Sequence, residues 1–131
     1  MERSILTTIK NRLQIEEECE DFDIEIISHI NTQFLTLLQL GVGPKSGFRI
    51  EDDSTRWGDY IDTDSIDNPE LLLGYVEEYI YTKVRLVFDP PTSTAVIEIF
   101  KSTALELESR IKDMVEIIIP NLEVDEEVED E

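Results

Sequence analysis

Apolar residues recur along this chain at spacings of three and four, the period of helices buried along one face. From Ser4 to Ile15 the stripe is Ile5, Leu6, Ile9 and Leu13, with Lys10 and Arg12 near its C-terminal end. A second helix is predicted over Phe22 to Leu40, carried by Ile27, Ile30, Phe34 and Leu37 or Leu38. Asp21 or Asp23 can cap its start. Gly41 supplies its stop, because glycine accepts the left-handed conformation that ends many helices. Trp57, Tyr60 and Ile61 suggest a short helix whose aromatics dock on the core, with Trp57 as an anchor.

The longest uninterrupted signals come next. Asn68-Pro69-Glu70 opens a helix: Asn as cap, Pro at the first helical position, Glu at the positive end of the dipole. Leu72, Val76, Tyr79 or Ile80, Lys83 or Val84, and Val87 form its stripe. Asp89 stands before Pro90, and a residue before proline is driven out of helical geometry. Pro91 keeps the chain extended. Thr92, Ser93 or Thr94 then caps a final helix, about Ser93 to Glu116. Its stripe is Val96 or Ile97, Phe100, Ala104, Leu107, Ile111 and Met114, and Glu108 with Lys112 forms a favourable i,i+4 pair. The run Val115 to Ile119 either finishes that helix or docks as a short extended piece before Pro120. The fold class that follows is all-α: a small helical bundle built on a long αα-hairpin, with shorter N-terminal helices. Phe48-Arg49-Ile50 is a possible short extended segment.

Composition narrows the function. The chain has 131 residues, 40% hydrophobic and 8% aromatic, in the range of one folded domain. We divide it into a helical domain over 1–119 and an acidic C-terminal tail over 120–131. With 31 acidic and 11 basic residues the net charge is −20, which disfavours nonspecific attraction to nucleic acid or anionic membrane. No run approaches the ~20 apolar residues that a membrane-spanning helix needs, and the N-terminus lacks the apolar core of a secretory signal. The acidic run Glu16 to Asp21 reads as a solvated connector. Cys19, the only cysteine, lies within it, where neighbouring negative charge opposes a reactive thiolate.

Candidate chemistry is sparse. His29 is the only histidine, and adjacent Ser28 points elsewhere on the helix, so no local nucleophile–base pair forms. A metal site would need more His or Cys ligands. Asp59, Asp62, Asp64 and Asp67 are dense carboxylates, but Ile66 and Asp67 break the order of a calcium loop. The loop Gly41, Val42, Gly43, Pro44, Lys45 lacks the order of a phosphate loop and reads instead as a flexible or partner-contacting loop. No catalytic residue, cofactor or metal is expected.

Several segments together resemble one family. They are Ile30-Asn31, then Leu37-Leu38-Gln39-Leu40-Gly41-Val42-Gly43, Phe48-x-Ile50, Trp57, Tyr79-Ile80-Tyr81-x-Lys83-Val84-Arg85-Leu86-x-Phe88-Asp89-Pro90-Pro91, and Glu106-Leu107-Glu108-x-Arg110. Their order and spacing resemble the head–tail connector (adaptor) proteins of long-tailed bacteriophages and prophages, over roughly residues 4–112. The resemblance implies a structural virion protein with no catalysis. Copies of it assemble into a ring, commonly of twelve, below the portal protein. The ring extends the DNA channel and meets the next neck or tail-completion protein. DNA would pass without sequence-specific binding. The resemblance also implies a virion location at the neck after synthesis in the host cytoplasm. Lys83, Arg85 and Asp89 become candidates for ion pairs that fix the hairpin or the neighbouring subunit, Glu108 and Arg110 for assembly or structural roles, and Pro90 and Pro91 for the corner between long helices. The alternative is an acidic regulatory protein or nucleic-acid mimic that binds a DNA-binding partner.

Overall fold

The computed structural model describes residues 2–61 and 68–118, with side chains to residue 115. The predicted acidic tail and Asp62, Asp64 and Asp67 lie outside the described residues. Among the described residues five helices follow in order: α1 (Ile5–Arg12), α2 (Asp23–Gln39), α3 (Trp57–Tyr60), α4 (Pro69–Phe88) and α5 (Thr94–Ile118). Among the described residues there is no strand, so the chain is all-α as predicted. α4 is the central element, because it packs against α1, α2 and α5.

α4 and α5 form the predicted hairpin. Tyr81 lies against Phe100, with ring centroids 6.5 Å apart, and Tyr79 bonds Glu108 at 2.9 Å. The α5 number rises as the α4 number falls, so the helices run antiparallel across the Pro90–Pro91 corner. Leu72, Val76, Tyr79, Ile80 and Val84 of α4 are buried, and so are Ala104, Leu107 and Ile111 of α5. Burying such side chains is worth about 1.5–3 kcal/mol each, and this is what holds the hairpin to the bundle. Val87 departs from the predicted stripe: it is 58% exposed. It sits in the last turn, where Phe88 turns inward to meet the Phe22 ring edge-on at 5.5 Å.

The helix ends follow some of the local signals and depart from others. Gly41 has φ +93, with Val42 N–H on the Leu37 carbonyl at 2.9 Å and Gly41 N–H on Leu38 at 3.0 Å. This is the Schellman arrangement that the glycine predicts. α1 uses the same device without glycine. Gln14 has φ 64, and Ile15 N–H reaches back to the Lys10 carbonyl at 2.9 Å. The helix therefore ends at Arg12, not Ile15. Two predicted caps are not made. Asn68 sits in the left-handed region (φ 53) and contributes its carbonyl, not its side chain. Phe22 precedes α2 without a side-chain cap, and Asp23 is the first helical residue.

Asp23 has another role. Lys10 is 3% exposed. Its Nζ lies 2.8 Å from Asp23 Oδ1 and donates to the carbonyls of Cys19 at 2.7 Å and Glu17 at 3.1 Å. The acidic run is thus wrapped over a buried ammonium and is not simply a solvated connector. A buried cation needs such compensation, since an unpaired one is strongly destabilising.

The irregular stretch between α2 and α3 is pinned by side chains. The Asn31 carboxamide accepts from Ile50 N–H at 2.8 Å and donates to Ile50 C=O at 2.9 Å. It occupies the place of a neighbouring strand for the predicted extended segment, satisfying backbone groups that burial would otherwise strand. Further on, Trp57 N–H meets the Arg3 carbonyl at 3.2 Å and Ile5 N–H meets Thr55 at 3.0 Å. The Trp57 ring is 2% exposed, and its Nε1 donates to Thr8 Oγ1 at 3.2 Å.

Candidate functional site

Among the described residues there is no reactive constellation to build a site from. His29 Nε2 is 3.8 Å from Glu25 Oε1 of its own helix, and Cys19 is a half-buried free thiol. Among the described residues no cluster of His, Cys, Asp and Glu could hold a metal ion. Among them, too, no helix is long and apolar enough to cross a membrane. What the molecule presents is surface, so the candidate residues are placed by what they touch and what they leave exposed.

The glycine loop is a built corner. Gly41, Gly43 and Gly47 have φ of +93, +92 and +96. Val42 is buried at 2% exposure, which removes it from the expected partner-contacting set. It belongs with Leu37 to the buried core, as the apolar residue after such a helix stop commonly does. Gly43 lies so close to Tyr60 that a Cβ there would stand 2.7 Å from the ring. Gly41 at the helix end and Pro44 and Lys45 beyond it are exposed. The Tyr60 ring also packs on Phe34 and Phe48 at 4.7 and 4.9 Å, and burial pushes its phenol above the usual value.

Among the described residues, Arg85 at the hairpin corner makes aromatic contacts and not an ion pair within the subunit. Arg85 donates through Nη1 to Tyr81 Oη at 3.1 Å and through Nε to the Asp89 carbonyl at 3.3 Å. Its guanidinium lies 5.3 Å from the Phe100 centroid, within reach of a cation–π attraction. The Asp89 carboxylate and Lys83 form no ion pair among the described residues. Pro90 is exposed and Pro91 half-buried at the turn itself.

Glu108 does not take Lys112. It accepts from the Tyr79 hydroxyl instead, and burial, together with the carboxylate, raises the Tyr79 pKa above its usual value. Arg110 is held by Glu106 one turn back at 2.8 Å, both side chains exposed.

Two features were not read from the sequence. One is a charged seam between α1 and α4. Arg12 forks onto Glu78, with Nη2 to Oε1 at 3.0 Å, and its guanidinium stacks 4.1 Å over the Tyr81 ring. Arg3 closes on Glu77 at 2.8 Å. The hydrogen bond to Glu78 holds the Arg12 pKa above its usual value, against the opposing cost of burial. The signal was the adjacent pair Glu77-Glu78, which lies beside a helix carrying most of the N-terminal cations.

The other is a groove of about 640 Å³ on the outside of α2. Ile24, Ser28, Asn31 and Leu35 line one wall, and residues 46–49 line the other. Ile24 is 87% exposed and Leu35 61%. Their spacing was visible, but it is offset from the stronger stripe that faces the core.

A family model described as phage connector protein matches residues 5–116. No curated protein and no solved structure matches the chain. The matched span begins with α1 and reaches the last turn of α5, so it takes in the hairpin, the glycine corner and the groove. The chain belongs to the phage connector proteins, structural components of the virion that interact with other phage head and tail proteins.

Proposed function

We propose that this chain is a head–tail adaptor that forms a ring below the portal, extends the DNA channel and joins the filled head to the neck and tail. The observation that carries the reading is the family match through all five helices. A core closed by apolar contacts, with exposed apolar residues left on α2 and α5, supports an assembling subunit. The ring is of about a dozen copies. Its partners are the portal protein on one side, the next neck or tail-completion protein on the other, and DNA passing without sequence-specific contact. The chain is made in the host cytoplasm and ends in the virion neck. The helical domain over 1–119 carries assembly, and residues 120–131 form an acidic appendage.

Within this reading the exposed members of the glycine corner, Gly41, Pro44 and Lys45, contact a partner. Asp89, Pro90 and Lys83 at the hairpin corner, and Arg110 on α5, take part in subunit contacts. Trp57 acts from inside, by fixing the N-terminal backbone against α3.

The test is light scattering and negative-stain imaging of the purified protein, with and without portal. Rings that bind portal are the expected result. A monomer that never joins portal and instead binds a DNA-binding protein would establish the acidic mimic.

A further inference from the structure

We infer that the groove on α2 receives the next copy of this chain, and that the segment it receives is the first half of α5. This rests on the ring reading and specifies which faces meet.

Ile24, Ser28, Asn31 and Leu35 follow one another at four, three and four residues, so they form a single stripe along α2. The groove they line with residues 46–49 contains no carboxylate. On a chain of net charge −20 most approaches between copies set carboxylate against carboxylate. This groove offers an apolar contact without that repulsion.

The matching surface lies on a different flank. α2 and α5 both pack on α4 and have little contact with each other, so their outer faces are separate patches. On α5, Val96, Ile99 and Thr103 follow at three and four residues. Val96 is 37% exposed and Ile99 61%. This stripe carries no charge, and the groove carries no carboxylate and a single cation, Arg49. Charge at the edges sets the direction. Arg49 is exposed at the groove rim and forms no ion pair among the described residues. Exposed Glu106 continues the α5 stripe three residues on, and it would share its charge between its own-helix partner Arg110 and the facing Arg49. Rim charges of this kind fix orientation more than affinity. A contact between two different patches of one chain repeats head to tail and closes into a ring when the rotation permits. A two-fold contact of groove on groove would instead leave both Arg49 side chains without a carboxylate from the facing groove.

The test uses paired cysteines in a Cys19→Ser background. Chains carrying both Leu35→Cys and Ile99→Cys are assembled and oxidised, and the expected product is a covalent ladder reaching the full ring. Either cysteine alone should give no ladder. In parallel, Leu35→Asp and Ile99→Asp should each reduce assembly at least tenfold with unchanged helical signal and urea midpoint. Mixed together they should give dimers that go no further, because each supplies one intact face. Leu71→Asp, at an exposed apolar position elsewhere, should assemble as the wild type does. Wild-type rings without the ladder, and with both Asp variants assembling normally, would overturn the face assignment and leave the ring reading standing. Dimers from a single-cysteine variant would replace it with a two-fold contact. Wild-type protein that forms no ring, alone or with portal, would remove the ring reading and this inference together.

Discussion

The α1 side of α4 and the outer face of α2 solve opposite problems. Along α1, charge is turned inward and satisfied: Lys10 sits under the Glu17 and Cys19 carbonyls beside Asp23, and Arg12 is forked on Glu78 and stacked on Tyr81. Along α2, apolar side chains are turned outward: Ile24 and Leu35 remain in water beside a groove free of carboxylates. One side is finished within the subunit, and its contacts serve stability. The other leaves apolar side chains exposed, and it is there that the proposed subunit contact falls. For a connector protein, function is therefore read from what the fold leaves unpartnered, not from its most densely bonded cluster.

That contrast can be broken most sharply at Lys10. Lys10→Ala leaves Asp23 and two carbonyls without their cation, and we expect a loss of about 3–5 kcal/mol, seen as a large fall in urea midpoint. A midpoint near wild type would mean that the acidic run is only a solvated connector after all. Next comes Gly43→Ala, which combines a left-handed φ of +92 with a Cβ 2.7 Å from Tyr60. It should cost about 1–3 kcal/mol in thermal or urea unfolding. It should also disturb the groove wall, since Tyr60 supports Phe48.

Smaller effects sharpen the comparison. Arg12→Ala should cost about 1 kcal/mol in urea unfolding, because this partly exposed pair is screened by solvent. Much of that loss should be insensitive to salt, since the stacking on Tyr81 is not only a charge effect. Tyr79→Phe removes the bond to Glu108 and should cost about 1 kcal/mol at neutral pH. The sign of its pH dependence follows from the raised phenol pKa. The Tyr79 contribution is complete below the unfolded value of about 10 and is lost as pH rises through the folded value. Wild-type stability should therefore fall above about pH 10, and Tyr79→Phe should fall less steeply. Smallest of all is Leu35→Asp on monomer stability, expected within about 0.5 kcal/mol because the side chain already faces water. A large loss there would show that the α2 face is part of the core, and the comparison would collapse.

Much of the scaffold was legible locally. Pro69, Gly41 and the Asp89-Pro90-Pro91 stop marked three helix ends, and the spacing of apolar residues located the helices between them. The candidate site was less legible. Gly41-Val42-Gly43 was recognisable as a corner, yet the inward turn of Val42 depends on the core it joins and the tight seat of Gly43 on Tyr60. The expected Glu108–Lys112 pair had the right spacing, but Tyr79 offered a donor from the other arm of the hairpin.

The sequence by itself determined the helices, their order and the corner between the two longest. These depend on backbone restriction, capping and periodic burial, which act over a few residues. Only the tertiary structure decided that Lys10 is buried, that Asn31 serves as a strand for Ile50, that Arg12 belongs to Glu78 and that Leu35 is left outside. Those outcomes depend on groups brought together from distant parts of the chain, 66 residues apart for Arg12 and Glu78. A side chain's charge or apolarity says what partner it needs, and the packing of the helices decides whether that partner arrives.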